Sequence, residues 1–330
     1  MPTLLTYAAV QGDHLTRSSL EVLAAGRAVA AERGWDVATV VLAGDAGPFA
    51  DELGRHGAAT VYTVSHPSLA QPINAAVLAA LGAAIERARP ALVVFPSSEG
   101  AKDVLGALAA KLGAPALPDV SSFSVGADGA VEATRPVMAA KFLARVRAEA
   151  PDAGPVLVSV RGGSYEASEA PAAGRVETVP FEFDASALPA KLRGVSRGAA
   201  GAVDLSEARV VVAAGRGIRD EAGRRLVEEL AEVTGAAIGA SRAVVDMGLF
   251  PATAQVGQTG KVVSPDLYFA LGISGAIQHV AGMSNSRVIV AVNRDADAPI
   301  FKLATFGVVG DLHQVLPPLL VELRRMRGDE

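Results

Sequence analysis

Short apolar runs of strand character alternate with stretches of helical spacing along most of this 330-residue chain, and that alternation restricts it to α/β folds. Leu4–Val10, Val37–Ala43, Thr60–Val64 and Ala91–Phe95 are the runs of the first half. Between them, Ser18–Arg33, Pro48–Arg55 and Ile73–Arg89 read as helices, with Gly34 placed to stop the first and Pro90 the third. Lys102–Leu112 is predicted as another helix. Strands joined through helices of this length form a mostly parallel sheet with right-handed crossovers.

The pattern changes after Pro118. Phe123–Val125, Val131–Arg135 and Lys141–Arg147 read as short strands about the turn Gly126-Ala127-Asp128-Gly129, an antiparallel addition. Val156–Val160 is a further buried strand, Tyr165–Gly174 an exposed segment, and Val176–Phe183 an edge strand. Asp184–Asp204 combines Pro189 with glycines and small residues, which places a domain boundary near Gly198–Asp204. The expected domains are therefore 1–198 and 199–330, and the length suits two of them.

The second half begins again with a strand, Arg209–Ala214, followed by an amphipathic helix over Asp220–Thr234. Leu226, Leu230 and Val233 mark its apolar face. Ala236–Gly239 is short and apolar. Val262–Val263, Leu267–Leu271, Val288–Val292 and, more weakly, Ile300–Thr305 read as strands. Ser274–Ala281 is predicted as a helix with a Gly-rich start, and Leu312–Arg327 as the closing helix, with Pro317 and Pro318 near its beginning. Both halves are thus α/β, each a mostly parallel sheet flanked by helices.

Several function classes are disfavoured by what the chain lacks. It has no cysteine, hence no disulfide, thiolate nucleophile or thiolate metal site. His14, His56, His66 and His313 have no partners at metal-ligand spacing, so no metal is expected. A net charge of −5 argues against nucleic acid as a partner. No apolar run reaches the roughly 18–20 residues that span a bilayer, and the start lacks a signal-peptide pattern. The expectation is a cytoplasmic protein without membrane insertion. No catalytic triad or carboxylate pair stands out.

The most informative stretch is Gln255–Met283. Two Gly-rich turns, Val256-Gly257-Gln258-Thr259-Gly260 and Gly272-Ile273-Ser274-Gly275, flank the apolar Leu267–Leu271, and Ala276-Ile277-Gln278-His279 follows. Glycines admit close backbone approach, and they alternate here with hydrogen-bonding side chains, which is the make-up of a cofactor cleft. Gly215-Arg216-Gly217 begins a dinucleotide fingerprint but has Asp220 where its last glycine belongs, so a tight turn and a phosphate contact are equally good readings. Gly257–Lys261 resembles half of a P-loop; Val262 replaces the Mg²⁺-binding Ser or Thr, which excludes an NTPase. A lone histidine such as His279 is more often a packing residue than a ligand, and Ser241-Arg242 reads equally as a helix cap and a solvated charge. Yet Gly215–Gly217, Ser241-Arg242 and Asn293 all follow strands, where ligands of open α/β sheets bind.

Taken in order, Gly215-Arg216-Gly217, Gly239-Ala240-Ser241-Arg242 with Asp246, Gln255–Lys261, Gly272–His279 and Ala298-Pro299-Ile300-Phe301 resemble the alpha subunit of electron-transfer flavoproteins. The resemblance runs the length of the chain and is tightest in the second half. It implies a heterodimer with a beta subunit, one FAD in a Rossmann-like C-terminal domain, and AMP in the beta subunit. The N-terminal domain would carry no nucleotide and serve the beta-subunit interface. Carried over residue by residue, the FAD site would comprise Arg216, Ser241, Arg242, Val256, Gly257, Gln258, Thr259, Ser274, Gly275, Ala276, Ile277, Gln278, His279, Asn293, Asp311 and Leu312.

The resemblance further implies an electron carrier, not an enzyme. It would accept electrons from soluble dehydrogenases such as the acyl-CoA dehydrogenases of fatty acid beta-oxidation and deliver them to a membrane quinone oxidoreductase. The alternative within the family is an electron-bifurcating member that uses NADH and a second FAD in the beta subunit. A flavin needs donors for its diphosphate, expected from the Ser274 turn, and donors or positive charge at its ring. Thr259 is assigned to the N5 side, a cationic or donating His279 to the N1/O2 edge, Arg242 to a place beside the ring, and Arg216 to either end.

Overall fold

The computed structural model describes residues 1–138, 140–149, 154–172, 174–195 and 204–328. The chain divides into two compact units, Met1–Val137 with Phe142–Ser196, and Met138–Lys141 with Arg197–Glu330. Residues 198–203 of the expected boundary stretch lie outside the described residues.

The first unit contains, in order, β1 (Thr3–Ala8), β2 (Val10–Gln11), β3 (His14–Leu15), α1 (Arg17–Arg33), β4 (Asp36–Ala43), α2 (Ala50–Arg55), β5 (Thr60–Ser65), α3 (Asn74–Ala88), β6 (Leu92–Pro96), α4 (Glu99–Leu112), β7 (Ala116–Val120), β8 (Ser122–Val125), β9 (Val131–Val137), β10 (Phe142–Ala148), β11 (Val156–Val160) and β12 (Arg175–Thr178). Its main sheet has seven strands in the order β12-β5-β4-β1-β6-β11-β7, every neighbouring pair parallel. The central strands are buried on both faces, as continuous runs such as Leu92–Pro96 and Val156–Val160 require. One apolar cluster gathers α1 and α2 on one face, and another gathers α3 and α4 on the other. Gly34 and Gly113 close α1 and α4 in the left-handed conformation that a residue without Cβ adopts cheaply.

The antiparallel addition is a three-stranded sheet, β10-β9-β8, as its turn residues predict. Three readings of this unit change. The strand read over Leu4–Val10 ends at Ala8, and Val10–Gln11 pairs instead with His14–Leu15 in a small hairpin. The edge strand read over Val176–Phe183 is confined to Arg175–Thr178. Ala116–Val120 is a strand that the sequence does not announce, because Pro118 interrupts its apolar pattern; it lies at the sheet edge, where a missing N–H is tolerated.

The second unit contains β13 (Val210–Ala214), α5 (Glu221–Thr234), β14 (Ala237–Ala240), α6 (Arg242–Asp246), β15 (Leu267–Leu271), α7 (Ile277–Val280), β16 (Val288–Asn293), β17 (Phe306–Val309) and α8 (Leu312–Arg327). Five parallel strands run in the order β14-β13-β15-β16-β17. The chain therefore leaves β13 toward one edge and returns to β13's other side at β15, which makes β13/β15 the point where the winding reverses. α5 is capped by Asp220, whose Oδ1 accepts from the Gly223 N–H at 2.8 Å, and it ends in left-handed Gly235. Its Val227 and Leu230 pack with Leu316 and Leu320 of α8 over one sheet face, joined by the half-buried Leu226 and Val233.

Here too the sequence reading needs correction. Val262–Val263 form no strand: Lys261 makes only an isolated bridge to Val256, and Val263 is buried in the core below. Ile300–Thr305 is not a strand either; Pro299–Lys302 forms a single 3-10 turn begun by Pro299, and the strand starts at Phe306. The helix expected over Ser274–Ala281 is the one turn Ile277–Val280, because Gly272 and Gly275 take φ of +65° and +86° just before it. No helix among the described residues is long and apolar enough to cross a membrane, and no group of three metal-binding side chains occurs among them.

Candidate functional site

The carboxyl ends of the second unit's strands carry every residue assigned above to the cofactor. Gly215 directly follows β13, Ser241 follows β14 and Gly272 follows β15, while β16 ends at Asn293 and Asp311 lies just past β17. Backbone hydrogen bonds knit the turns into one surface. Gly215 N donates to Leu271 O at 2.7 Å, Ser241 N to Ala214 O at 2.8 Å, Val256 N to Ala240 O at 2.8 Å and Gln258 N to Gln278 O at 2.7 Å. Gly272 N donates to Val292 O at 2.8 Å, and Gly310 N to Asn293 O at 3.0 Å. The first Gly-rich turn is thus bonded to α7, the helical turn that follows the second, although a whole strand separates them in sequence.

The glycines act chiefly between turns. A Cβ at Gly215 would stand 2.3 Å from the Gly272 carbonyl oxygen, and one at Gly282 would stand 2.4 Å from Gly257 N. These positions are glycine because backbone meets backbone, which supports the tight-turn reading of Gly215-Arg216-Gly217; Asp220 is the cap of α5.

The surface so built presents unsatisfied donors. The N–H groups of Ser274, Gly275, Ala276, Ile277 and Gln278 make no hydrogen bond among the described residues. Consecutive free N–H groups form an anion-binding concavity of the kind that takes phosphate. Ser241 Oγ is buried and without a hydrogen-bond partner among the described residues, though the residue stands at the start of α6 where a capping bond would be normal. His279 Nδ1 is likewise buried and unpartnered. Native interiors leave few polar atoms in this condition, each at a cost of about 1–3 kcal/mol, and together they fit a bound group rich in acceptors.

The other assigned residues fall into two sets. Gln258 and Thr259 are exposed on their turn, with Thr259 Oγ1 accepting from Gln255 Nε2 at 3.0 Å. Arg216 is exposed, and Arg242 is exposed and ion-paired with Asp246 at 3.5 Å, so both guanidinium groups stand open to solvent. Val256 is buried in the core, and its contribution is made by its backbone. Asn293 braces the site: its Nδ2 donates to Ile273 O at 2.9 Å and its Oδ1 accepts from Asp295 N at 3.0 Å. Asp311 caps α8 through the His313 N–H and pairs with Arg294, which together hold its carboxyl below the ordinary carboxylate range. Leu312 is a buried core side chain. Asp311 and Leu312 thus offer a ligand backbone only.

His279 is 7% exposed, and Tyr268 Oη lies 2.9 Å from its Nε2. Burial pushes its pKa down to about 4, against a weaker opposing pull from the Val256 carbonyl. The imidazole is neutral at pH 7, which replaces the cationic alternative with the donating one. Because the unfolded chain takes up this proton near pH 6.5 and the folded one only near 4, stability falls as pH drops through that window. The contribution lost below pH 4 is about 3 kcal/mol. Denaturant titrations between pH 7 and 4 are expected to show this slope in the wild type and a shallower one in His279→Gln.

Comparison with known proteins decides the family. The family model described as "Electron transfer flavoprotein domain" matches residues 4–186, and "Electron transfer flavoprotein FAD-binding domain" matches residues 204–284. The chain is 38% identical over 319 residues to the electron transfer flavoprotein subunit alpha of Bacillus subtilis (strain 168), covering 96% of each chain. It is 42% identical over 320 residues to that of Mycobacterium leprae (strain TN), covering 95% of this chain and 96% of the other. The chain belongs to the electron transfer flavoprotein alpha subunit family. The mitochondrial alpha subunit of Oryza sativa subsp. indica is also similar, at 37% identity over 336 residues, 97% of this chain and 90% of the other. The FAD-binding match spans Ser241, both Gly-rich turns and His279, the stretch in which the unbonded N–H groups and the two buried, unpartnered polar atoms lie.

Two residues that matter to this geometry escape sequence reasoning. Tyr268 hides in the apolar run of β15, and its only signal is a hydroxyl in the middle of a central strand. Gly282 lies beyond both turns and looks like an ordinary loop glycine.

Proposed function

We propose that this chain holds the FAD of a heterodimeric electron carrier in its C-terminal domain, residues 199–330, and uses residues 1–198 to engage a beta subunit that carries AMP. It takes electrons from soluble flavin dehydrogenases, acyl-CoA dehydrogenases among them, and delivers them to a membrane quinone oxidoreductase, acting in the cytoplasm without substrate chemistry of its own. The observation that carries this reading is the run of unbonded N–H groups from Ser274 to Gln278 beside two buried, unpartnered polar atoms, Ser241 Oγ and His279 Nδ1.

FAD, when bound, supplies the redox chemistry. The chain's residues bind and orient it. The Ser274–Gln278 backbone and the Ser241 hydroxyl receive the acceptor-rich diphosphate. Gln258 and Thr259 offer hydrogen bonds from the opposite turn. His279 gives a neutral donor, and Arg242 a mobile positive charge, where negative charge develops on reduction; both favour the reduced cofactor. Asn293, Asp311 and the paired glycines hold these groups in place.

Anaerobic reduction of the reconstituted heterodimer tests the reading. Catalytic acyl-CoA dehydrogenase with its substrate is expected to bleach the flavin, and NADH alone is not. Reduction by NADH, with two FAD per heterodimer, would assign the chain to the bifurcating branch instead.

A further inference from the structure

The contact between Tyr268 and His279 has a consequence for the proton of the imidazole. Tyr268 lies within β15 with no exposed surface, and its ring and that of His279 stand 6.2 Å apart at 59°. Its phenol has one proton to donate, and burial drives its ionisation further above the ordinary range, so that proton stays. The phenol's one hydrogen-bond partner among the described residues is His279 Nε2, at 2.9 Å. A buried O–H donates where an acceptor is in reach, so Nε2 presents its lone pair. A neutral imidazole has a single ring proton, and it must then reside on Nδ1. Nδ1 is the buried nitrogen without a hydrogen-bond partner among the described residues, on the residue that follows the unbonded N–H groups of Ser274 to Gln278, and the Val256 carbonyl is the backbone acceptor that acts on this ring.

Resting on the FAD reading of this site, we propose that Tyr268 is a positioning residue that fixes His279 in its Nδ1–H tautomer, so that the imidazole meets the flavin only as a hydrogen-bond donor. The direction matters. An N–H aimed at an electron-rich edge gains strength as the flavin takes up charge, whereas the lone pair of the other tautomer would oppose that charge. The hydroxyl thereby acts on the cofactor without touching it, through the far side of the ring, as second partners of functional histidines do elsewhere.

The test is nitrogen NMR of the heterodimer with ¹⁵N-labelled histidine, with flavin content and midpoint potential measured on the same preparations. The wild type is expected to show His279 with a protonated Nδ1 and a bare Nε2. Tyr268→Phe keeps the ring and removes the hydroxyl; the proton is then expected to spread to Nε2 and the flavin potential to fall. A protonated Nε2 in the flavin-bearing wild type would overturn the tautomer lock, as would an unchanged tautomer in Tyr268→Phe. If that variant does not fold, the wild-type tautomer decides alone. A colourless heterodimer with Nδ1 protonated would instead overturn the FAD reading, and the donor role with it, while leaving the Tyr268 contact intact.

Discussion

Gly282→Ala is expected to destabilise the second unit by about 3 kcal/mol, the upper end of the usual cost of overpacking. The added methyl would sit 2.4 Å from Gly257 N and 2.5 Å from Gly257 Cα, and neither can rotate aside as a side chain would. Gly257 is itself confined: its φ is +144°, and a Cβ on it would stand 2.8 Å from the Gln278 carbonyl oxygen. Gly235→Ala is the control. Unlike Gly282, it forces a left-handed residue, at φ +65°, and its methyl meets nothing within 4 Å. It should cost about 1 kcal/mol, from backbone conformation alone. Denaturant midpoints of the two variants are the measurement. Equal losses would mean that the first Gly-rich turn is not locked against Gly282 by this approach, and the geometry of the site would need another explanation.

Ile277→Pro is expected to leave the fold intact and to weaken FAD binding at least tenfold. Proline suits the first position of a helix, where its N–H has no helical partner, and Ile277 begins α7. Ala276 has φ −57° and ψ 142°, the extended conformation that a residue before proline prefers. The substitution therefore removes one of the unbonded N–H groups and little else. A hydrogen bond to a charged group contributes about 1.5–3 kcal/mol, which sets the size of the loss. Ile277→Ala, with the N–H retained, separates that loss from the loss of side-chain packing. Flavin titrations of the stripped heterodimers read both, and unchanged affinity in the proline variant would remove the Ile277 N–H from the site.

The layer architecture was legible because strand runs such as Val156–Val160 and helix stops such as Gly34 are local signals. What escaped depends on partners distant in sequence. Ala116–Val120 becomes a strand only because β11 accepts it at the sheet edge, and its Pro118 hides it from any periodicity. Ile300–Thr305 has a strand-like composition, yet Pro299 starts a turn whose Ile300 N–H bonds back to Ser274 O at 3.0 Å. The site showed the same division. Its two Gly-rich turns stand out as sequence, and their resemblance to the family is what proposes them as the site. The reason for their glycines does not show, since Gly215 faces Gly272 and Gly257 faces Gly282 only after folding. Asp311 and Leu312 came from resemblance alone, and their side chains turn out to serve the start and the underside of α8. The charge state of His279 is fixed by its burial, which one sequence does not reveal.

The central claim is that the second unit of this chain holds one FAD. The most direct measurement is the flavin released on denaturing a heterodimer purified after co-expression with its beta subunit, compared with that from a Ser241→Ala, Ile277→Pro double variant. The account predicts one FAD per wild-type heterodimer and substoichiometric flavin in the double variant. A colourless wild-type complex, or a double variant that retains its full flavin, would contradict it.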